Sequence, residues 1–278
     1  LIDQHLPCEV LPDWSLNLEN LRQFGLVILP NIACISREGI ENLQCYVREG
    51  GSIIATYETS LYDEKGNFLG DFQLKDAYGL RYFEHCTTYA RNYFQSFLNV
   101  EDESLAANLP KTLYGIPGSF LKVVPTSGKN VCNIVLPAVS DSAESFFSWT
   151  AAPGSRTNYP AVNVNDFGKG KVIYVATPLF KLFHEGVPPQ WDLPAFKDSM
   201  DWIRDLMGLV VEKYASPPPI RVKAPYSVHS TFFKQPDENR LVIHLINRTS
   251  LQEVVPVRDL EISISKDFVR PKSVSSVW

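Results

Sequence analysis

Cysteine is scarce in this 278-residue chain. Cys8, Cys34, Cys45, Cys86 and Cys132 are odd in number, and none forms a CxxC pair. That spacing argues against a zinc site and does not describe a disulfide framework, so no metal and no cofactor are expected. No run of Lys or Arg offsets the net charge of −5, which argues against nucleic acid or an anionic membrane surface as partner. No apolar stretch approaches the roughly 20 residues needed to span a bilayer. No charged-then-apolar signal segment opens the chain, and a cytoplasmic protein is expected. The glycines of Asp166-Phe167-Gly168-Lys169-Gly170-Lys171 are too closely spaced for a phosphate-binding loop, and the segment reads as a tight turn. What is present is ordinary: 45% hydrophobic and 21% charged residues, ample material for a core. The length permits two domains.

The most informative stretch runs from Leu26 to Glu64. Leu26 to Leu29 form an apolar run that Pro30 ends. Ser36 is a candidate N-cap, its hydroxyl placed to accept a free amide of the first turn. Ile40, Leu43 and Val47 recur at helical spacing, Cys45 falls inside that pattern as a buried thiol, and Gly50-Gly51 close the helix. Ser52 to Ala55 restart a buried strand. Strand, helix and strand predict a parallel βαβ unit, and open parallel sheets bind ligands at the carboxyl ends of their strands. Glu58, Thr59, Ser60, Tyr62 and Asp63 occupy that edge and are the candidate ligand or interface residues.

Elsewhere the pattern is looser. Leu1 to Leu6 resemble the tail of a helix, Cys8 to Leu11 a short strand and Leu18 to Phe24 a helical connection. A sheet that begins with half a helix suggests a first strand upstream, in a longer polypeptide. Residues 78–97 are crowded with Tyr78, Tyr82, Phe83, Tyr89, Tyr93, Phe94 and Phe97, which suit a core, an interface or a sugar-stacking platform. Asn133 to Pro137, Phe146 to Thr150 and Ala161 to Asn165 are strand candidates. A glycine turn and the strand Val172 to Ala176 complete a hairpin. Phe196, Met200, Ile203 and Met207 mark a helix that Gly208 should stop. Ala215 to Pro219 is a stiff linker. Beyond it, alternation at Val228, Ser230 and Phe232, a turn at Pro236 to Asn239, and strands at Leu241 to Ile246 and Leu260 to Ile264 predict a small antiparallel β-sandwich. Asn247-Arg248-Thr249 fits a glycosylation sequon.

GGSIIATYETSLYDEKGN, preceded by LVILPNIACIS, resembles the trimerisation domain of glycoside hydrolase family 42 β-galactosidases. DFGKGKVIYVATPLF and VKAPYSVHSTFFKQPDENRLVIHLINRT resemble later parts of the same proteins. The resemblance implies a flavodoxin-like, class I amidotransferase-like α/β domain with a mostly parallel sheet over residues 1–212, and a small β-domain over 213–278. It implies a homo-oligomer, a trimer, and the non-catalytic half of a glycosidase that shapes the active-site surroundings. The catalytic barrel of that family needs about 250 residues, and no positions here correspond to its glutamates.

Catalysis within the chain has little support. Amidotransferases of this fold carry a nucleophilic Cys on the turn after the strand that corresponds to Ser52–Thr56, where Tyr57 or Glu58 stands here. Cys34, just before a helix cap, is a candidate reactive thiol. His184 and Glu185 superficially suit an amidotransferase, but neighbouring side chains do not face each other. Glu58, Asp63 and Glu64 could form a carboxylate pair, although acidic residues at helix starts are common. The remaining alternative is a carbohydrate-binding module that uses the ETSLYDE edge or the aromatic segment 78–97. No catalytic residue is assigned.

Overall fold

The computed structural model describes residues 1–87, 96–107, 109–116, 119–138, 152–181, 201–214, 218–249 and 255–268. The chain divides into two compact units, Leu11–Ser216 and a smaller one made of Leu1–Val10 with Pro217–Trp278. Residues 1–10, placed with the α/β part on sequence, group with the C-terminal unit.

In the larger unit a short helix α1 (Leu18–Leu21) leads into strand β1 (Leu26–Leu29), which Pro30 follows. Helix α2 spans Arg37–Glu49. Its start is fixed as expected: the Ser36 hydroxyl accepts from the Gly39 amide at 3.1 Å. Its end is fixed by Gly50, whose φ of 125° is open only to a residue without a Cβ. Ile40, Leu43, Tyr46 and Val47 are buried on its inner face. Cys45 is only half-buried, because it points along the outer face, where its thiol lies 3.7 Å from Glu49 Oε1. Strand β2 (Ser52–Thr56) then runs parallel to β1, and all five of its residues are buried. Burial on both faces is why this strand reads as a continuous apolar run without alternation.

The elements that follow are helix α3 (Lys75–Tyr78), strands β3 (Leu80–Thr87) and β4 (Ser96–Val100), helix α4 (Glu103–Ala106), and strands β5 (Tyr114–Ile116), β6 (Ser119–Pro125), β7 (Lys129–Pro137), β8 (Pro153–Phe167) and β9 (Gly170–Val175). Seven strands form one sheet in the order β1-β2-β9-β8-β7-β4-β5. The parallel arrangement holds across β1, β2 and β9, and every pair beyond β9 is antiparallel. The sheet is therefore mixed. The β8–β9 hairpin turns at Gly168 and Lys169. Strands β3 and β6 form a separate antiparallel pair.

Helix α5 (Asp201–Tyr214) continues through Gly208. A glycine inside a helix costs about 1 kcal/mol, and Ile203, Leu206, Val210 and Val211 carry a buried stripe across it. Its stop signal is overridden by packing. Phe196 and Met200, the strand candidate at 146–150 and the tip of the proline linker lie outside the described residues.

The smaller unit contains β10 (Ile220–Lys223), β11 (Val228–Gln235), β12 (Arg240–Asn247) and β13 (Glu261–Ile264). The described strands pair antiparallel as two two-stranded sheets, β10 with β13 and β11 with β12. Asn239, with a φ of 47°, closes the expected turn. Residues 8–11 form no strand, and the first residues make a single 3-10 turn, Ile2–Gln4. Buried His5 donates from Nε2 to the Ala224 carbonyl at 3.0 Å, which ties this segment to the unit. The Asn247 side-chain amide donates to the Val255 carbonyl at 2.7 Å, so the sequon nitrogen is engaged within the fold.

Candidate functional site

The chain leaves β2 through a sharp turn. Tyr57 has a φ of 52°, a left-handed conformation that costs a residue with a Cβ roughly 1–2 kcal/mol. Two bonds hold it there: its amide donates to Val175 O at 2.7 Å, and its carbonyl accepts from the Tyr174 hydroxyl at 2.6 Å. The loop after β1 is laced to it. The Asn31 amide donates to Thr56 Oγ1 at 2.9 Å, and the Glu58 amide donates to Asn31 Oδ1 at 3.1 Å.

The five predicted residues take different roles here. Thr59 is fully buried, and its hydroxyl accepts from the Ile32 amide at 3.1 Å while lying 2.6 Å from Thr56 O and 3.2 Å from Leu29 O. Ser60 is also fully buried, with its hydroxyl 3.3 Å from the Tyr78 hydroxyl and accepting from the Leu74 amide at 3.4 Å. Both hydroxyls are used inside the fold. Asp63 organises the next turn by accepting from the amides of Lys65 and Asn67 and from the Asn67 side chain at 2.8–2.9 Å. Those bonds hold its carboxyl below the usual carboxylate range. Glu58 and Tyr62 remain available at the surface. The Tyr62 hydroxyl donates to Glu58 Oε1 at 3.4 Å.

A residue that the sequence did not single out completes the group. His85 Nε2 lies 2.7 Å from Glu58 Oε1, and His85 Nδ1 lies 2.8 Å from the Tyr82 hydroxyl. A carboxylate only accepts, so in the neutral imidazole Nε2 carries the proton and Nδ1 accepts from Tyr82. In a regular strand, residues three apart face opposite ways. Here the β3–β6 register shifts between Tyr82 and Glu84. The extra residue, Phe83, is 65% exposed, and Tyr82 and His85 come to lie on one face. A bulge re-aims side chains in this way, and nothing local in the sequence announces it.

Aromatic rings surround the relay. Tyr57 lies edge-on to His85 at 6.1 Å, Phe68 packs on Tyr82 at 5.5 Å and on Tyr62 at 5.7 Å, and Phe72 backs Tyr82 at 6.1 Å. Phe68 is half-exposed, with exposed Leu69 beside it. Burial raises the phenol pKa values of Tyr57 and Tyr62, and the negative charge of Glu58 adds to the shift. Burial raises that of Tyr82 as well, with Glu84 and Glu58 contributing. Within the aromatic segment, Tyr78 and Phe97 are buried, whereas Tyr89, Tyr93 and Phe94 lie outside the described residues.

Cys34 is exposed and pairs with Tyr62 in an isolated bridge. His184 and Glu185 lie outside the described residues. Among the described residues no cluster of His, Cys, Asp and Glu is placed to hold a metal ion. No helix among them is long and apolar enough to cross a membrane. The group therefore offers a carboxylate and an imidazole locked in a hydrogen-bonded chain, set into an aromatic wall at the carboxyl edge of the parallel strands.

Residues 12–188 match the family model described as the β-galactosidase trimerisation domain. The chain belongs to that family. The trimerisation domain is similar in fold to part of a family 42 β-galactosidase from G. stearothermophilus, with a TM-score of 0.54 and 18% identity over 83% of this chain and 27% of that one. The β-galactosidase from Rahnella sp. R3 gives a TM-score of 0.57 and 17% identity over 95% and 34% of the two chains. α-L-Fucosidase isoenzyme 2 from Paenibacillus thiaminolyticus gives 0.61 and 18% over 87% and 34%. At these identities the likeness concerns the fold. The chain spans between 27% and 34% of the length of these three proteins.

Proposed function

We propose that this chain is the oligomer-forming, non-catalytic region of a carbohydrate-cleaving glycoside hydrolase of the β-galactosidase type, and that its carboxyl edge shapes the surroundings of an active site. The observation that carries this reading is the match of residues 12–188 to the trimerisation domain family. The site geometry supports it. The residue at the sharp turn after β2 is Tyr57, whose backbone is pinned on both sides and whose phenol is half-buried. A phenol raised by burial is a poor nucleophile at neutral pH. Glu58 and Tyr62 then face outward as contact groups, while Thr59, Ser60 and Asp63 hold the loop that presents them. The partner is a second and third copy of the same protein.

Light scattering on this chain and on the longer protein that contains it tests the proposal. Trimeric mass in both is the expected result. A monomeric chain from a trimeric parent would move assembly out of this region, and a monomer in both cases would remove the oligomer-forming role.

A further inference from the structure

The Glu58–His85–Tyr82 relay directs its hydrogens inward. Nε2–H of His85 and the hydroxyl of Tyr62 both point to Glu58 Oε1, and the hydroxyl of Tyr82 points to His85 Nδ1. What the group turns outward is acceptors: Glu58 Oε2, which has no hydrogen-bond partner among the described residues, and the free lone pairs of the Tyr82 oxygen. Glu58 and His85 keep side-chain exposures of 23% and 31%, enough for a ligand to reach them. Phe68, packed on the Tyr62 and Tyr82 rings, keeps half of its surface open.

A ligand suited to this surface supplies hydroxyl or ammonium donors next to an apolar face. The packing of the rings separates the two. Phe68 packs on both Tyr62 and Tyr82, at 5.7 and 5.5 Å between centroids, so the three rings run side by side as a wall and do not close around a cavity. A cage for an ammonium group would have to surround it with ring faces. A wall flanked by acceptors fits a flat ring with C–H groups on one face and hydroxyls on its rim.

We propose that Glu58, His85, Tyr82 and Phe68 form a binding site for a neutral pyranose sugar. Phe68 stacks on the C–H face, and Glu58 Oε2 with the Tyr82 oxygen accepts from ring hydroxyls. His85 is a positioning residue: it holds the carboxylate and the phenol at 2.7 and 2.8 Å and fixes which atoms face out. The site deepens the proposed function by naming the ligand at the carboxyl edge. It rests on that function only for the choice of sugars to try.

The test is saturation-transfer NMR on the 278-residue chain with methyl β-galactopyranoside and methyl α-L-fucopyranoside, and with tetramethylammonium as the competing class. Millimolar binding of one sugar is expected, with transfer strongest to the protons of one ring face. Phe68→Ala removes an exposed ring and leaves the fold intact, and it weakens binding by about fivefold or more. Glu58→Gln replaces a charge-assisted acceptor and weakens it by about tenfold. Phe83→Ala, which trims the exposed ring of the unpaired bulge residue and keeps the backbone, leaves binding unchanged. The proposal is overturned if neither sugar receives saturation, if Phe68→Ala and Phe83→Ala behave alike, or if tetramethylammonium binds and the sugars do not. None of these results depends on the mass of the assembly, so either reading can fail alone.

Discussion

Replacing Thr59 with Val isolates what the hydroxyl under the candidate site contributes. Valine keeps the shape and the branching at Cβ, so packing barely changes. It removes an acceptor from the Ile32 amide and a donor shared between Thr56 O and Leu29 O, in a residue with no exposed surface. One part-buried amide is left without a partner, and the carbonyls lose one of theirs. Leaving such a donor unmet costs about 1–3 kcal/mol, and about 2 kcal/mol is expected here. With a denaturant slope of about 2–3 kcal/mol/M, the urea midpoint should drop by roughly 0.7–1 M. Four of the five tryptophans fall within Leu11–Ser216, so tryptophan fluorescence follows mainly the larger unit. Thr59→Ser is the control, since it keeps the hydroxyl and loses one methyl group, worth about 1 kcal/mol. If Val proved as stable as Ser, or more so, the hydroxyl would not be what ties the β1 and β2 loops together.

Gly128→Ala should destabilise the same unit by about 2 kcal/mol. A Cβ there would lie 2.1 Å from Asn163 Nδ2, and Asn163 is fully buried with that nitrogen already donating to Tyr78 O at 2.9 Å. Neither can yield, and a midpoint equal to that of the parent would show that the β6–β7 turn relaxes more easily than the contact implies. Asp102 tests the acid limb. Lys213, Ser104 and Lys129 hold its carboxyl well below the usual range, with the side chain 7% exposed. Its folded pKa is depressed, so its stabilising contribution is complete above about pH 4 and fades as pH falls further, through the folded value. Asp102→Asn should therefore lower the melting temperature at neutral pH and flatten its decline in acid. Parallel curves for the two proteins across that range would refute the clamp.

The parts of the fold legible in the sequence are those decided by neighbours along the chain. Ser36 caps α2 through an amide three residues on, and Gly50 ends that helix by its own backbone freedom. The β8–β9 hairpin is announced by its glycine turn. What local pattern cannot carry is the choice of distant partner. The strands from β4 to β8 carry no clean period-two pattern, with β4 opening on three buried residues and β8 burying six in a row. Their antiparallel pairing beside a parallel core depends on contacts far apart in the chain. Gly208 carries a true stop signal that the apolar stripe around it overrides. Thr59 and Ser60 look like surface hydroxyls in a polar loop. They turn inward because Leu29 O, Thr56 O and Tyr78 wait there, up to 30 positions away in the chain. His85 stayed hidden for the same reason, since only the pairing of β3 with β6 reveals the bulge that brings it to Tyr82.

The turn at Tyr57 would give the proposed contact surface its rigidity. A left-handed tyrosine is strained, and the strain persists because Val175 O and the Tyr174 hydroxyl fix its amide and its carbonyl. The next amide, of Glu58, is held by Asn31 Oδ1. The backbone beneath the carboxylate is thus immobilised before any ligand arrives, and His85 and Tyr62 then order the side chain. An exposed glutamate normally loses about 1.5–2 kcal/mol of rotamer freedom when it is fixed. Here folding has already met most of that cost. A shallow site with few contacts gains affinity chiefly through such preorganisation. Loosening the relay with His85→Ala should therefore weaken sugar binding even though the acceptors on Glu58 and Tyr82 remain. If binding instead survived that change intact, the order imposed by the imidazole would be irrelevant to the contact.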